Sequence, residues 1–327
     1  MVPVPMNPMF MAFSCPSRPL TSSALSSRAV SVPSSPARLR GLGLISLAAV
    51  SWGTTGSVTA VLVATAGTSA LVIGAVRMLV AATLLVVLAR WLAGPLRVDP
   101  ADRWRCVVLG LCLAAFQATY FSAVVLTGIA IAALIAICGA PLLIAGLAAA
   151  MLGERVPARV GWALGQGVAG TALLIVGPRS AADVSPRFVA GVLLALGASL
   201  AYALYVVLAK ATLARSAPLP LAAVAFGVAA LVLTPMLFTP GVGRQLALGW
   251  PWLLYLGAVT TAGAYAIYTI GLRDVRASSA GVAALLEPLT ATLLGVFLFG
   301  ERLGAAGVGG AVLLFAALGL LVIRDTG

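Results

Sequence analysis

The sequence predicts an all-α polytopic membrane protein, with ten transmembrane helices arranged as two inverted five-helix repeats. Three observations carry this expectation. The chain is 62% hydrophobic and only 9% charged, whereas a soluble domain carries about 25% charged residues. Its apolar runs have the length of bilayer-spanning helices, not the short alternating pattern of outer-membrane strands. Paired motifs also recur at one spacing of 147 residues: Pro141-Leu142 and Gly153-Glu154-Arg155 return as Pro288-Leu289 and Gly300-Glu301-Arg302.

Composition also narrows the chemistry. The net charge is +12, but the arginines sit between apolar runs and form no stripe interleaved with aromatics, so membrane topology explains them and a nucleic-acid partner is not expected. Cys15, Cys106, Cys112 and Cys138 show no metal or redox spacing, and the chain has no histidine. No metal site, cofactor or catalytic residue is therefore expected. A phosphate-cradling Gly-Lys-Ser/Thr loop is missing too, which argues against a nucleotide-driven pump.

Taken in order, residues 1–40 are rich in Pro, Ser and Arg, with Arg18, Arg28, Arg38 and Arg40 and no acid. They read as a disordered basic tail. A signal or transit peptide is the rival reading, but the segment lacks a continuous apolar core. The first repeat, residues 41–178, holds apolar runs near 42–66, 69–93, 104–126, 129–152 and 157–177. The second, residues 187–324, holds runs near 188–210, 219–238, 248–271, 275–299 and 304–323. Gly, Pro and charged residues cut the chain between them.

Orientation follows from the loops. With the N-terminus cytoplasmic, fifteen of the twenty basic residues fall inside, four (Arg179, Arg187, Arg244 and Arg302) fall outside, and Arg77 stays within a helix. That bias places both termini in the cytoplasm of a multi-pass cell-membrane protein. Five helices per repeat is an odd number, so the second half enters the membrane upside down. Leu109-Gly110 with Leu256-Gly257, Phe121 with Tyr268, and Leu173-Leu174 with Leu320-Leu321 extend the match at the same spacing. Trp52 corresponds to Tyr202 at a slightly different one. Inverted repeats meeting at the bilayer midplane are an architecture of secondary transporters.

Glu287 is the leading candidate site residue, a carboxylate in the middle of an apolar run, followed at once by the helix-kinking Pro288. It could bind a proton or a substrate ammonium; the alternative is a neutral acid that locks the kink. Its counterpart in the first half is Ala140, beside the matching kink residue Pro141. Arg77, two turns into the second helix, could bind a substrate carboxylate or balance Glu287, with snorkelling to the surface as the alternative. Trp52, Thr54, Gln117, Tyr120, Tyr202, Tyr205, Tyr265 and Tyr268 combine an apolar body with a polar tip and suit the wall of a solute cavity, although interhelical packing would use them equally. Tyr202 with Tyr205, and Tyr265 with Tyr268, are spaced to share a helix face. Glu154 and Glu301 precede the fifth and tenth helices, where a carboxylate can cap exposed amides. Gly161, Gly165 and Gly170, and Gly304, Gly307, Gly309 and Gly310, allow close packing within a monomer or across a homodimer.

Four stretches resemble the EamA-type transporters of the drug/metabolite transporter superfamily: AVSWGTTGSVTAVL, GAVRMLVAATLLVV, SLAYALYVVLAK and LLEPLTATLLGVFLFGERL. The resemblance spans about residues 42–323. It implies ten helices, cytoplasmic termini, and export or exchange of small polar metabolites such as amino acids. With the inverted repeat and Glu287, the expectation is a secondary transporter that moves a small metabolite, an amino acid or an amphipathic drug-like compound, by alternating access, with Glu287 as the proton-coupling or substrate-ammonium site. A small-molecule substrate and the lipid bilayer are then the partners. The rivals are a non-transporting membrane scaffold and a membrane-embedded enzyme. They differ in what fills the midplane, since a scaffold packs it with aliphatic side chains and an enzyme needs a cluster of reactive groups.

Overall fold

The computed structural model describes residues 35–127, 129–175, 185–299 and 304–322. Among the described residues the regular structure is helical throughout. In the first half, α1 spans Ser35–Ala66, α2 Ala70–Ala93, α3 Arg103–Thr127, α4 Ile129–Leu152 and α5 Ala158–Ile175. In the second, α6 spans Pro186–Thr212, α7 Pro218–Leu233, α8 Val242–Gly257, α9 Ala264–Asp274, α10 Ala277–Ala284, α11 Leu286–Phe299 and α12 Ala305–Val322. Each expected run falls on a helix. Among the described residues, eight stretches are long and apolar enough to cross a membrane, and the described parts of α5 and α12 are not among them.

Three expectations need correction. Helix α1 begins at Ser35, so residues 35–40 are helical and not part of a disordered tail; Ser35 is followed by Pro36, whose fixed φ suits a first turn that needs no N–H bond. Residues 1–34 lie outside the described residues, as do Arg179, Gly300, Glu301, Arg302 and Arg324.

The run near 248–271 is not one regular helix. Between α8 and α9 the backbone widens into a π turn over Ala258–Gly263. The hydroxyls of Thr260 and Thr261 both donate to the Leu256 carbonyl, at 2.8 and 2.6 Å. Hydroxyls that compete with the backbone for a carbonyl loosen the regular ladder, and π turns concentrate at functional sites.

The run near 275–299 is broken as well. Helix α10 stops at Ala284, Leu285 donates back to Val282 at 3.0 Å, and α11 restarts at Leu286. Pro288 explains the position of the break, because it has no N–H to bond the Ala284 carbonyl and its ring crowds that carbonyl. Pro141, by contrast, sits inside an unbroken α4.

Packing is reciprocal between the halves. α3 packs on α6 and α7, while α8 and α9 pack on α1 and α2; α4 packs on α6, while α10 and α11 pack on α1; α2 meets α7, and α5 meets α12. Exchanging the halves leaves this set unchanged. Equivalent glycines make equivalent contacts. A Cβ on Gly110 of α3 would lie 2.5 Å from Val228 of α7, and one on Gly257 of α8 would lie 2.5 Å from Val80 of α2. The core is rich in alanine, and large side chains such as Leu231, Val125 and Phe297 are exposed. Small residues inside and large apolar ones outside are the pattern of helices packed in lipid, where close approach replaces the hydrophobic effect as the driving term. Of the six tryptophans, Trp91, Trp104, Trp162, Trp250 and Trp252 are exposed, and the first three lie near helix ends, as interfacial anchors do.

Gly110→Ala is expected to destabilise the detergent-solubilised protein by about 1–3 kcal/mol through overpacking. Gly56→Ala, where no atom lies within 4 Å, should leave stability unchanged or slightly raised. Thermal unfolding of the two variants side by side checks this.

Candidate functional site

Trp52 of α1 is the centre of an aromatic cluster that both halves build. Its ring lies 4.9 Å from Tyr265, 5.2 Å from Tyr268 and 6.5 Å from Tyr202, centroid to centroid. Tyr202 is the repeat counterpart of Trp52, so equivalent residues of the two halves meet edge to face. Tyr205 continues from Tyr202 at 6.3 Å and reaches Tyr265 at 6.0 Å. The shared faces expected for the Tyr202/Tyr205 and Tyr265/Tyr268 pairs are therefore present. On α3, Tyr120 stacks on Phe116 at 5.7 Å, and Phe116 contacts Tyr202 at 5.6 Å. Phe226 of α7 closes on Tyr265 at 4.8 Å.

Helices α1 and α11 meet closely beside this cluster. A Cβ on Gly53 would sit 2.7 Å from the Glu287 carbonyl and 2.5 Å from Thr290, so only glycine lets α1 ride on the first turn of α11. Glu287 therefore lies at the N-terminal turn of a half-helix, beside the break made by Pro288, and not in the middle of a continuous helix. It is partly buried.

Arg77 is 9% exposed, and its Nε donates to Thr261 Oγ1 at 3.1 Å. Thr261 thus serves twice, donating to Leu256 and accepting from Arg77, and the π turn is what brings its hydroxyl there. The guanidinium does not snorkel. Its charge and that of Glu287 act on one another and on Tyr120 and Tyr265. Among the described residues no hydrogen bond or ion pair joins the two charges directly, so Arg77 Nη1 and Nη2 are left for another acceptor.

Other polar groups around the cluster also lack partners. Gln117 is 4% exposed and its Nε2 is unpartnered, beside Gly74 on the Arg77 face of α2. The buried Trp52 Nε1 is unpartnered as well. Buried donors left unsatisfied are costly, about 1–3 kcal/mol each, and mark places where a solute or water completes the shell.

Thr54 is the exception among the expected residues. Its hydroxyl donates to the Ser51 carbonyl at 2.8 Å and shares a hydrogen bond with Tyr255 at 2.9 Å, tying α1 to α8 away from the rings. Thr260, Thr261, Phe116, Phe226 and Tyr255 were not anticipated. The adjacent threonines in an apolar run were the one readable signal, since such hydroxyls back-bond to the preceding turn. The phenylalanines carry no polar tip to distinguish them from core. Of two grooves along α2, one is bordered by Val86, Val87, Arg90 and Trp91 and the other by Leu84, Leu88 and Trp91 together with Ala258, Ala262 and Gly263 of the π turn; neither includes a ring of the cluster.

Glu154 caps a helix, but not the one it precedes. The N–H of Ala277 donates to its Oε1 at 3.0 Å, and the N–H and hydroxyl of Ser278 donate to Oε2 at 3.4 and 3.3 Å. The capped helix is α10 of the opposite half. The free amides of α10 attract a carboxylate wherever the fold can supply one.

Thr261→Val is expected to remove both hydroxyl bonds, strand Arg77 Nε, and lower stability by about 1–3 kcal/mol. In a double-mutant cycle with Arg77→Leu the two losses should be clearly less than additive, as thermal unfolding will show.

The comparisons with known proteins follow this geometry. Residues 39–176 and 189–323 each match the EamA-like transporter family. A Bacillus subtilis (strain 168) protein described as uncharacterized transporter YwfM is 39% identical over 280 residues, covering 85% of this chain and 91% of its own. An Archaeoglobus fulgidus protein described as an uncharacterized transporter is 31% identical over 215 residues, 64% of this chain and 74% of its own. A solved structure, described only as that of a protein, superposes with a TM-score of 0.71 at 26% identity, over 88% of this chain and 96% of its own.

Proposed function

The chain belongs to the EamA-like transporter family, and on that premise we propose that it exports or exchanges a small metabolite across the cell membrane by alternating access. The substrate is an amino acid or a similarly amphipathic compound, the unit crosses the bilayer ten times, and both termini are cytoplasmic. The domains are two five-helix repeats, related by a pseudo-two-fold axis in the membrane plane.

One observation carries the reading. Arg77 from the first half and Glu287 from the second are brought within electrostatic reach beside an aromatic cluster to which both halves contribute. A scaffold has no use for two opposed charges held apart in the bilayer, where the insertion penalty of each is about 2.5–3.5 kcal/mol even on a permissive scale. An enzyme would need reactive groups beyond these. A solute carrying a cation, an anion and an apolar body satisfies Glu287, Arg77 with Gln117, and the rings together.

Coupling follows from the same pair. Glu287 is charged when a substrate ammonium faces it and can be neutral when it carries a proton, so substrate and proton compete for one carboxylate. Its place at the start of α11, next to the break, lets a small local change re-aim that half-helix. The reciprocal packing of the halves supports alternating access, because exchanging their conformations would exchange the open side.

Glu287→Gln keeps the shape and removes the titration. In proteoliposomes assayed with a panel of amino acids and amphiphilic drugs, the variant should lose accumulation driven by a pH gradient while retaining passive exchange. Wild-type gradient-driven transport by this variant across about pH 6–8 would show the carboxylate to be structural.

Orientation is tested separately. Reporter fusions at Ser216 should read cytoplasmic and fusions at Gly241 extracytoplasmic, and the opposite result would invert the proposed topology.

A further inference from the structure

The end of the molecule that carries the α2–α3, α4–α5, α6–α7 and α9–α10 connections is tied across the halves by charged groups. Asp102, at the start of α3, has no exposed side-chain surface. Its Oδ1 accepts from Arg105 Nη1 at 2.8 Å and from Arg215 Nη2 at 2.5 Å, and its Oδ2 accepts from Arg215 Nε at 3.2 Å and Ser216 Oγ at 3.5 Å. Arg215 and Ser216 belong to the α6–α7 connection of the other half. Glu154, again from the first half, holds the first amides of α10 in the second. Lys210 reinforces the same end, donating to the carbonyls of Leu272 and Arg273 at the close of α9, at 2.8 and 2.9 Å. Its charge is also within reach of Glu154 and Asp274.

The repeat shows what the same contact is at the opposite end. At the spacing of 147 that relates α3 to α8, Asp102 corresponds to Gly249; at the spacing of 150 that relates Trp52 to Tyr202, Arg215 and Ser216 correspond to Thr65 and Ala66. The contact is conserved in space and changed in chemistry. A Cβ on Gly249 would lie 2.5 Å from Leu62, 3.5 Å from Thr68 Oγ1 and 3.6 Å from Ala66, so glycine is pressed against uncharged side chains where the other end has a bidentate ion pair. Cys106 and Leu253, one turn further along, are equivalent and both buried.

We propose that Asp102 with Arg215, Arg105 and Ser216 forms a one-sided ionic clamp that makes closure at this end, the proposed cytoplasmic face, the resting state. This rests on the alternating-access reading. An inverted repeat with equal contacts at both ends would have no built-in preference between its two states. The buried ion pair at one end, where the other has Gly249 against Leu62, Thr68 and Ala66, supplies that preference, because opening the clamped end separates a buried carboxylate from its guanidinium while opening the Gly249 contact does not.

Cys106 provides a native reporter, buried one turn beyond Asp102. In full-length protein with Cys15, Cys112 and Cys138 replaced by Ala, labelling of Cys106 by a membrane-impermeant maleimide is measured from the Asp102 side. A second version, with Cys106→Ala and Thr68→Cys, reports on the opposite end, where Thr68 is equally buried. Asp102→Asn and Arg215→Ala should each accelerate Cys106 labelling, on the order of tenfold, since removing one partner leaves the other uncompensated. Labelling at Thr68→Cys should stay unchanged or slow down.

Unchanged Cys106 labelling in both variants would overturn the clamp, and so would equal acceleration at both reporters, which signals general loosening. Should Asp102→Asn fail to insert, Arg215→Ala decides, because that side chain is 48% exposed. Labelling needs no substrate. If the variants label as expected while the wild type moves no solute, the transport reading fails and the clamp stands; transport with unmoved labelling leaves the reverse.

Discussion

In hydrocarbon, every backbone N–H and C=O must find its partner inside the protein, and this constraint governs where the chain can depart from regular helix. Several of the departures among the described residues are served by a side chain. Thr260 and Thr261 take up the Leu256 carbonyl at the π turn. Glu154 takes the first amides of α10, and Lys210 the last carbonyls of α9. Ser69 and Ser185 cap α2 and α6. The two departures deepest in the bundle, the π turn and the break before Pro288, are also the two that position Arg77 and Glu287. Backbone irregularity and charge occur together because each needs what the other provides: a freed carbonyl or amide needs a polar side chain, and a buried charge needs polar surroundings.

The second theme is symmetry and its local loss. The helix pairings survive exchange of the halves, down to Gly110 on Val228 and Gly257 on Val80. The charges do not. Ala140 stands where the second half has Glu287, and the spacing that relates Val80 to Val228 sets Ala225 opposite Arg77. Gly249 stands where the first half has Asp102. In the proposed alternating-access cycle a symmetric frame supplies two equivalent conformations, and unequal charges bias how the two are populated and which end of a solute each half receives.

Much of this was legible in the chain. Apolar runs located the helices, since bilayer length leaves little choice of structure, and the 147-residue spacing revealed the repeat. Trp52, Tyr202, Tyr205, Tyr265 and Tyr268 were readable as a group because amphipathic aromatics are conspicuous among aliphatic neighbours. What misled was reasoning along one helix at a time. Thr54 looked like its neighbours yet faces Tyr255, and Phe116 and Phe226 looked like core yet border the rings. Glu154 was read as a cap for the helix that follows it, whereas α10 is nearer in space.

By itself, then, the sequence determined the fold class, the repeat, and the presence of two rare charges inside apolar segments, because each of these is local composition or spacing along one chain. Only the tertiary structure decided that Arg77 is held by Thr261 of the π turn, that Glu287 opens a half-helix beneath Gly53, and that Asp102 pairs with Arg215 of the opposite half. Those are choices among partners far apart in sequence. They depend on which helix faces approach one another, and that is settled by glycine and alanine contacts whose partners no single segment reveals.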